Sequence, residues 1–289
     1  MKTVLRLAAL PALALCAPLA AQDTEEDVTD EPQAAYEDTV FDGDWLSIGL
    51  GVGYAPSYDG SDDYVLFPLP VVQGSLGGIG ISPRPAGLAL DFIPDAEDGP
   101  SFSFGPAFRL RNSRADQIED PVVEAAGELD RAFEIGPSAG VSFPGVLNQY
   151  DSVTISADAR WDVAGAHEGM VVEPSLTYFT PLSRGIATSL SFGATFVDDD
   201  FADYYYSVNP AQNAASGLPL YQAEGGLTSL GVNALFGFDL DGDLANGGLA
   251  AILIGGYSRK MNDAKDNPYT AIRGDADQFL VGVGLGYTF

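Results

Sequence analysis

Cysteine is almost missing from this chain. Cys16 is the only one, and it sits in an N-terminal stretch that reads as a leader. Met1–Arg6 carries Lys2 and Arg6, Leu7 to Ala20 is an apolar run, and small residues stand at Ala20 and Ala21. That order reads as a secretory signal peptide over 1–21. Leu15, larger than the small residue a lipid-modified cysteine needs before it, argues against a lipoprotein. Cleavage after Ala21 leaves no cysteine, which excludes a disulfide framework and a thiolate metal site. Histidine is just as scarce, with His167 alone. Lys and Arg total 13 against 41 Asp and Glu, for a net charge of −28. Binding a phosphate backbone needs a basic surface, so no nucleic-acid partner is expected. After residue 21 no stretch has the ~18 uninterrupted apolar residues of a spanning helix.

What is abundant is glycine (34 residues) and aromatic side chains (11%), arranged with a period of two. The last strand shows it best. Phe279, Val281, Val283, Leu285, Tyr287 and Phe289 alternate with Gln278, Leu280, Gly282, Gly284, Gly286 and Thr288. One face is apolar and the other mostly Gly and polar, as in a strand with one greasy side. The pattern recurs in Leu46–Tyr54, Phe102–Arg111, Phe133–Phe143, Val153–Asp162 and Leu230–Asp239. Further strands read at 64–74 (interrupted by Pro68 and Pro70), 78–92 (kinked at Pro83 and Pro85), 169–180, 185–197, 203–208 and 248–258. Most approach the 9–11 residues a tilted strand needs to cross a bilayer. A soluble sandwich would bury the greasy faces and leave sheet edges, whereas the Gly, Ser, Thr and isolated charges opposite suit a small polar lumen. The expectation is therefore an all-β, transmembrane antiparallel barrel of about 12 strands over 45–289. Residues 22–44 hold ten acids and no base and read as an acidic periplasmic lead-in.

With both termini periplasmic, this strand list turns 55–63, 93–100, 144–150, 181–184, 209–226 and 259–276 outward. It leaves 112–130 as a long periplasmic connection, beside short turns near 75–78, 163–168, 198–202 and 241–247.

Candidate chemistry is thin. His167 needs a hydroxyl nucleophile and an orienting acid; Glu168, next in sequence, points to the opposite face, so His167 reads as a turn residue. Asp239-Leu240-Asp241-Gly242-Asp243-Leu244 departs from a calcium loop, with Leu244 where the glycine belongs and Ala250 where the glutamate belongs, and reads as a tight polar turn. Asp59, Asp62 and Asp63 form a solvated acidic cluster, at most a weak cation site. Arg109, Arg111, Glu134, Asp158, Arg160, Asp162 and Glu173 fall on inner faces, either as a structural charge network or as a solute-selecting constriction. No catalytic, cofactor-binding or metal-binding residue is assigned, and no enzyme activity is expected.

Three segments carry a resemblance. The first is Gly51-Val52-Gly53-Tyr54-Ala55-Pro56-Ser57-Tyr58-Asp59-Gly60-Ser61-Asp62-Asp63-Tyr64, continuing into Phe67-Pro68-Leu69-Pro70. The second is Ser216-Gly217-Leu218-Pro219-Leu220-Tyr221 with Gly225-Gly226-Leu227, and the third is Met261-Asn262-Asp263-Ala264-Lys265-Asp266-Asn267-Pro268. With the C-terminal strand, they make 45–289 resemble the MipA/OmpV family (MltA-interacting protein-like); Asn262 and Asn267 depart from the family's third segment. The resemblance implies a barrel in the outer membrane of a Gram-negative cell, in contact with lipid. It also implies a scaffolding protein for peptidoglycan work, joining a periplasmic lytic transglycosylase to a penicillin-binding protein. Other members imply a narrow porin or channel, or a surface adhesin or antigen. For a scaffold, 112–130 is the expected site of shape-specific contact.

Overall fold

A computed structural model describes residues 39–96 and 98–289; the leader and the lead-in up to Asp38 lie outside them. Among the described residues the chain forms one closed antiparallel barrel of twelve strands in meander order, with the last strand paired to the first. The strands are β1 (Trp45–Pro56), β2 (Tyr64–Leu76), β3 (Ile79–Arg84), β4 (Gly87–Asp91), β5 (Ser101–Arg111) and β6 (Ala132–Pro144). They continue as β7 (Ser152–Asp162), β8 (Met170–Ser183), β9 (Ile186–Val197), β10 (Gly226–Asp239), β11 (Gly248–Lys260) and β12 (Asp277–Thr288).

Closure runs in register from Ser47 opposite Thr288 to Tyr54 opposite Val281. It depends on glycine: a Cβ on Gly51 would strike the Val283 carbonyl oxygen across the β1–β12 seam. The period-two pattern resolves as expected. Phe279, Val281, Val283, Leu285 and Tyr287 are 47–55% exposed, as are Ile48, Val52 and Tyr54 beside them at 49–50%. This outward apolar belt, on a wall closed by the β1–β12 pairing, is the arrangement of strands that cross lipid.

The strand count of twelve agrees with the sequence, but through two offsetting differences. The single strand read over 78–92 is a hairpin, β3 and β4, turning at Pro85 and Ala86. The strand read at 203–208 is helix. Helix α2 (Asp199–Tyr206) starts at Asp198, whose side chain accepts from the Phe201 amide, satisfying a free helix-start N–H. Phe201 and Tyr205 fall one turn apart and are both buried. The extra crossing at β3–β4 inverts every turn assignment until α2 restores it. We call the end where β1 begins and β12 finishes the near end. Connections 93–100, 144–150 and 181–184 lie there, with 75–78 and 241–247. Connections 112–130, 163–168 and 198–202 lie at the far end, with 55–63, 209–226 and 259–276, so 112–130 shares an end with the connections expected to face outward and not with the turns at 75–78 and 241–247.

The β3–β4 hairpin is too short to cover β2. Only Gly74–Leu76 pair with Ile79–Ile81, whereas β1 pairs with β2 from Trp45–Ser75 to Pro56–Tyr64. Pro68 and Pro70 lie in the part of β2 paired on one side only. Continuous pairing to β1 through both prolines requires Val65, Phe67, Leu69 and Val71 to carry the ladder bonds. The missing proline N–H groups then face the open side, where they cost nothing.

Candidate functional site: the lumen and its cap

Inward positions divide the lumen into two sectors. On β10, β11, β12 and β2 they include Leu235, Ile252, Ile254, Leu280, Leu69 and Val71, and β1 and β12 place glycines between them. The Leu69 side chain lies 3.0 Å from where a Cβ on Gly282 would stand, so the glycines let these side chains lie flat against the wall. β2 and β11 supply much of this sector.

The opposite sector is charged. Glu134 on β6 is fully buried and accepts from Arg111 Nε at 2.6 Å and Arg160 Nε at 3.3 Å. Arg160 also reaches Asp158 at 2.9 Å and bonds Glu173. Arg109 Nη1 donates to Glu173 at 2.7 Å, and Arg84 Nε donates to Asp158 at 2.8 Å. Cross-strand register brings these residues together: Arg109 stands opposite Glu134, and Asp158 opposite Glu173. Six of the seven inner-face charges expected from sequence therefore meet in one network. Asp162 does not join it; its carboxylate accepts from the Ala164, Ala166, His167 and Glu168 amides and shapes the turn after β7. Arg84 was missed, because Pro83 and Pro85 on either side read as a kink rather than as the tip of a hairpin.

His167 sits in the turn before β8, but its side chain is buried beneath the far end. Its ring lies 4.9 Å from Phe201 and 5.7 Å from Tyr205, centroid to centroid. Nδ1 accepts from the Gly169 amide at 3.0 Å, and Nε2 is 3.4 Å from Glu134, too long and too poorly aligned for a firm hydrogen bond. The acid that His167 faces is thus Glu134, brought from another strand, and the ring links cap to lumen.

The cap is built from far-end connections and has its own core. Besides α2 it contains α1 (Pro121–Ala125), α3 (Pro210–Ser216), α4 (Asn262–Asp266) and α5 (Pro268–Ala271). Phe201, Ala202, Tyr205 and Tyr206 pack with Val171, Val197, Ala223 and Ala264. Tyr58, Val123, Ala126, Val208, Leu218 and Tyr269 make a second cluster that joins four connections. Polar contacts lock them. Asp120 caps α1 through the Val122 and Val123 amides and pairs with Arg273. Burial works to raise the Asp120 carboxyl, but Arg273 and the two amides hold it below the usual range. Arg114 is 2% exposed, with its guanidinium 3.8 Å from the Tyr269 ring centroid, a cation–π contact. Gly60 has φ of +96° and no room for a Cβ against Thr270, so glycine is required there.

Asp59, read as solvated, is tied to Lys260 and accepts from the Tyr206 hydroxyl at 3.1 Å. Burial pushes its carboxyl up, but Lys260 outweighs that and holds it at about 2. Asp62 and Asp63 remain exposed. Among the described residues no group of three His, Cys, Asp or Glu is placed to hold a metal ion. In the near-end turn, Asp239 Oδ1 accepts from the amides of Asp241, Gly242 and Asp243, a tight turn that uses the carboxylate internally.

Between the ion-pair network and α2 lies a cavity of about 180 Å³ lined by Arg109, Arg111, Lys260, Asp59, Glu173 and hydroxyl side chains.

A closed strand meander with an apolar outer belt and a charged interior defines a transmembrane β-barrel of the outer-membrane kind. Residues 48–289 match the family model described as "MltA-interacting protein MipA", and the chain belongs to that family. The chain is 31% identical over 71 residues to YiaT, an outer-membrane protein by its description, from Escherichia coli K12 and from strain O157:H7. That match covers 25% of this chain and 28% of YiaT. Among solved structures, an outer membrane channel from Pseudomonas putida F1 aligns with a TM-score of 0.42 at 12% identity, covering 90% of this chain and 100% of that one. The outer membrane channel DcaP of Acinetobacter baumannii aligns at 0.37 and 15% identity, covering 85% and 72%. Neither likeness bears on function.

Proposed function

We propose that this protein is a closed, non-enzymatic outer-membrane barrel that anchors murein-degrading and murein-synthesising enzymes at its near end. The family description, an MltA-interacting protein, motivates the partner class. The observation that supports a closed barrel is the filled lumen: two packed apolar clusters cap the far end, and beneath them four arginines and three carboxylates interlock. Loop length orients the molecule, since outer-membrane barrels carry short periplasmic turns and longer outward loops. The long connections 112–131, 198–225 and 261–276 are all at the far end, which supports a near end that faces the periplasm.

This orientation moves the expected docking segment. Connection 112–130 is built into the outward cap and is out of reach of periplasmic enzymes. The near end offers the 145–151 turn instead. Asp151 fixes it by accepting from the Val146, Leu147 and Asn148 amides and the Tyr178 hydroxyl. Leu147 and Tyr150 project from it at 77% and 62% exposure. A rigid turn that presents a leucine and a tyrosine has the character of a hot spot that loses little entropy on binding. The acidic lead-in adds attraction for a basic partner over about 8 Å at physiological salt.

The test is pull-down of lytic transglycosylase and penicillin-binding protein from detergent extracts, with planar-bilayer recording of the same preparation. We expect capture by wild type, loss of capture by Leu147→Ser/Tyr150→Ser, unchanged capture when 112–131 is shortened, and no stable open level. No capture by wild type, together with steady conductance, would put the channel reading in its place.

A further inference from the structure

We infer that the cavity beneath α2 is a binding site for a small singly charged oxyanion, a carboxylate or dihydrogen phosphate. Its first support is charge. Among the lining residues, Arg109, Arg111 and Lys260 face Asp59 and Glu173, an excess of one cation in a chain whose net charge is −28. The wider network does not remove the excess. Four arginines, Arg84, Arg109, Arg111 and Arg160, share Glu134, Asp158 and Glu173, while Lys260 is matched by Asp59. An uncompensated guanidinium out of bulk water is costly, and a counter-anion removes that cost.

The second support is unused hydrogen-bonding capacity. Arg109 Nε and Arg111 Nη2 are buried and have no partner. The Arg111 side chain is only 9% exposed, so bulk water does not satisfy it. Two guanidinium groups with free N–H donors at one cavity match the forked acceptors of a carboxylate or phosphate.

The third support is the rest of the lining. Thr195, Thr228, Ser229 and Ser258 bring hydroxyls, and Phe201 closes one side with the Arg111 guanidinium 4.9 Å from its ring centroid. The two carboxylates in the wall are already committed, Asp59 to Lys260 and Glu173 to Arg109 and Arg160. They restrict the occupant to one negative charge rather than excluding it. At about 180 Å³ the space takes several waters or one small organic anion.

The test uses the full chain refolded in detergent micelles at pH 6, titrated calorimetrically with sodium glycolate and, separately, sodium phosphate, with sodium chloride holding ionic strength constant. We expect saturable one-to-one binding of at least one of the two. Glycolate alone would indicate a carboxylate ligand and phosphate alone dihydrogen phosphate, and either supports the site. Arg109→Gln should weaken binding at least tenfold. Ser258→Leu fills the cavity while leaving every ion pair in place, and should abolish binding with the barrel intact on heat-modifiability gels. Ser258→Leu decides the matter if Arg109→Gln fails to fold. No saturable binding of either probe, or affinity unchanged in the folded variants, overturns the site. Because conductance and enzyme capture are not read here, the result is independent of the anchoring role.

Discussion

Replacing Glu134 with glutamine removes one charge from the lumen and almost nothing else. The glutamine keeps the volume and one oxygen acceptor. The carboxylate is fully buried and accepts from Arg111 at 2.6 Å and Arg160 at 3.3 Å, with His167 at 3.4 Å. Removing one member of a buried ion pair costs about 3–5 kcal/mol, mainly because the partner charge stays behind. Arg160 keeps Asp158 and Glu173, so the orphan is Arg111, and a loss near the lower bound, about 3 kcal/mol, is expected. Reversible urea unfolding in phospholipid vesicles reads it, with fluorescence from the two tryptophans, Trp45 and Trp161, as the signal. Trp161 lies on β7, one residue from Arg160, which makes it a local reporter. The partner variant Arg111→Met removes the orphan, so the double variant should recover at least ~1.5 kcal/mol relative to additivity. A single-variant loss under ~1 kcal/mol, or strict additivity, would show that lumen water already screens the network and that the filled-lumen argument fails.

Three further outcomes follow from particular contacts. Val283→Arg should cost about 2–4 kcal/mol by placing a charge on the lipid face, whereas Gly282→Arg presses on Leu69 inside; better folding of Val283→Arg than of Gly282→Arg in vesicles would refute the register. Asp59 is lowered from 3.8 to about 2, so its contribution is full above pH 3.8 and is lost as pH falls toward 2. Its one-third exposure discounts that contribution to about 1 kcal/mol. Amide protection in 57–63 and 199–206, taken relative to the intrinsic exchange rate at each pH, should fall over that window and stay flat from pH 5 to 8. Gly60→Ala should loosen the cap by about 1–3 kcal/mol through left-handed strain and the Thr270 clash, seen as new protease cuts in 57–63 and 261–276 with the gel mobility of the folded barrel unchanged.

What the residues by themselves determine is the wall. Phe279 to Phe289 alternate with glycine and polar residues, and because a strand's side chains switch faces at every residue, this local pattern already states which face meets lipid. The inner-face placement of Arg109, Arg111, Glu134, Asp158, Arg160 and Glu173 follows from the same period, and closure follows from the need to pair strand backbone in lipid. Tertiary structure decided the ends. Periodicity does not say whether Pro83 and Pro85 bend one strand or separate two, and each added crossing turns every later connection to the other side. The run Tyr204-Tyr205-Tyr206 has strand-like composition, yet Asp198 as a cap and the burial of Phe201 against Tyr205 make it helix, because packing against Val171 and Val197 outweighs a weak local preference. The cavity was beyond sequence altogether. It exists because β5, β8, β10, β11 and α2, far apart along the chain, bring Arg109, Arg111 and Lys260 to one place with fewer carboxylates than cations, and only the folded barrel sets that balance.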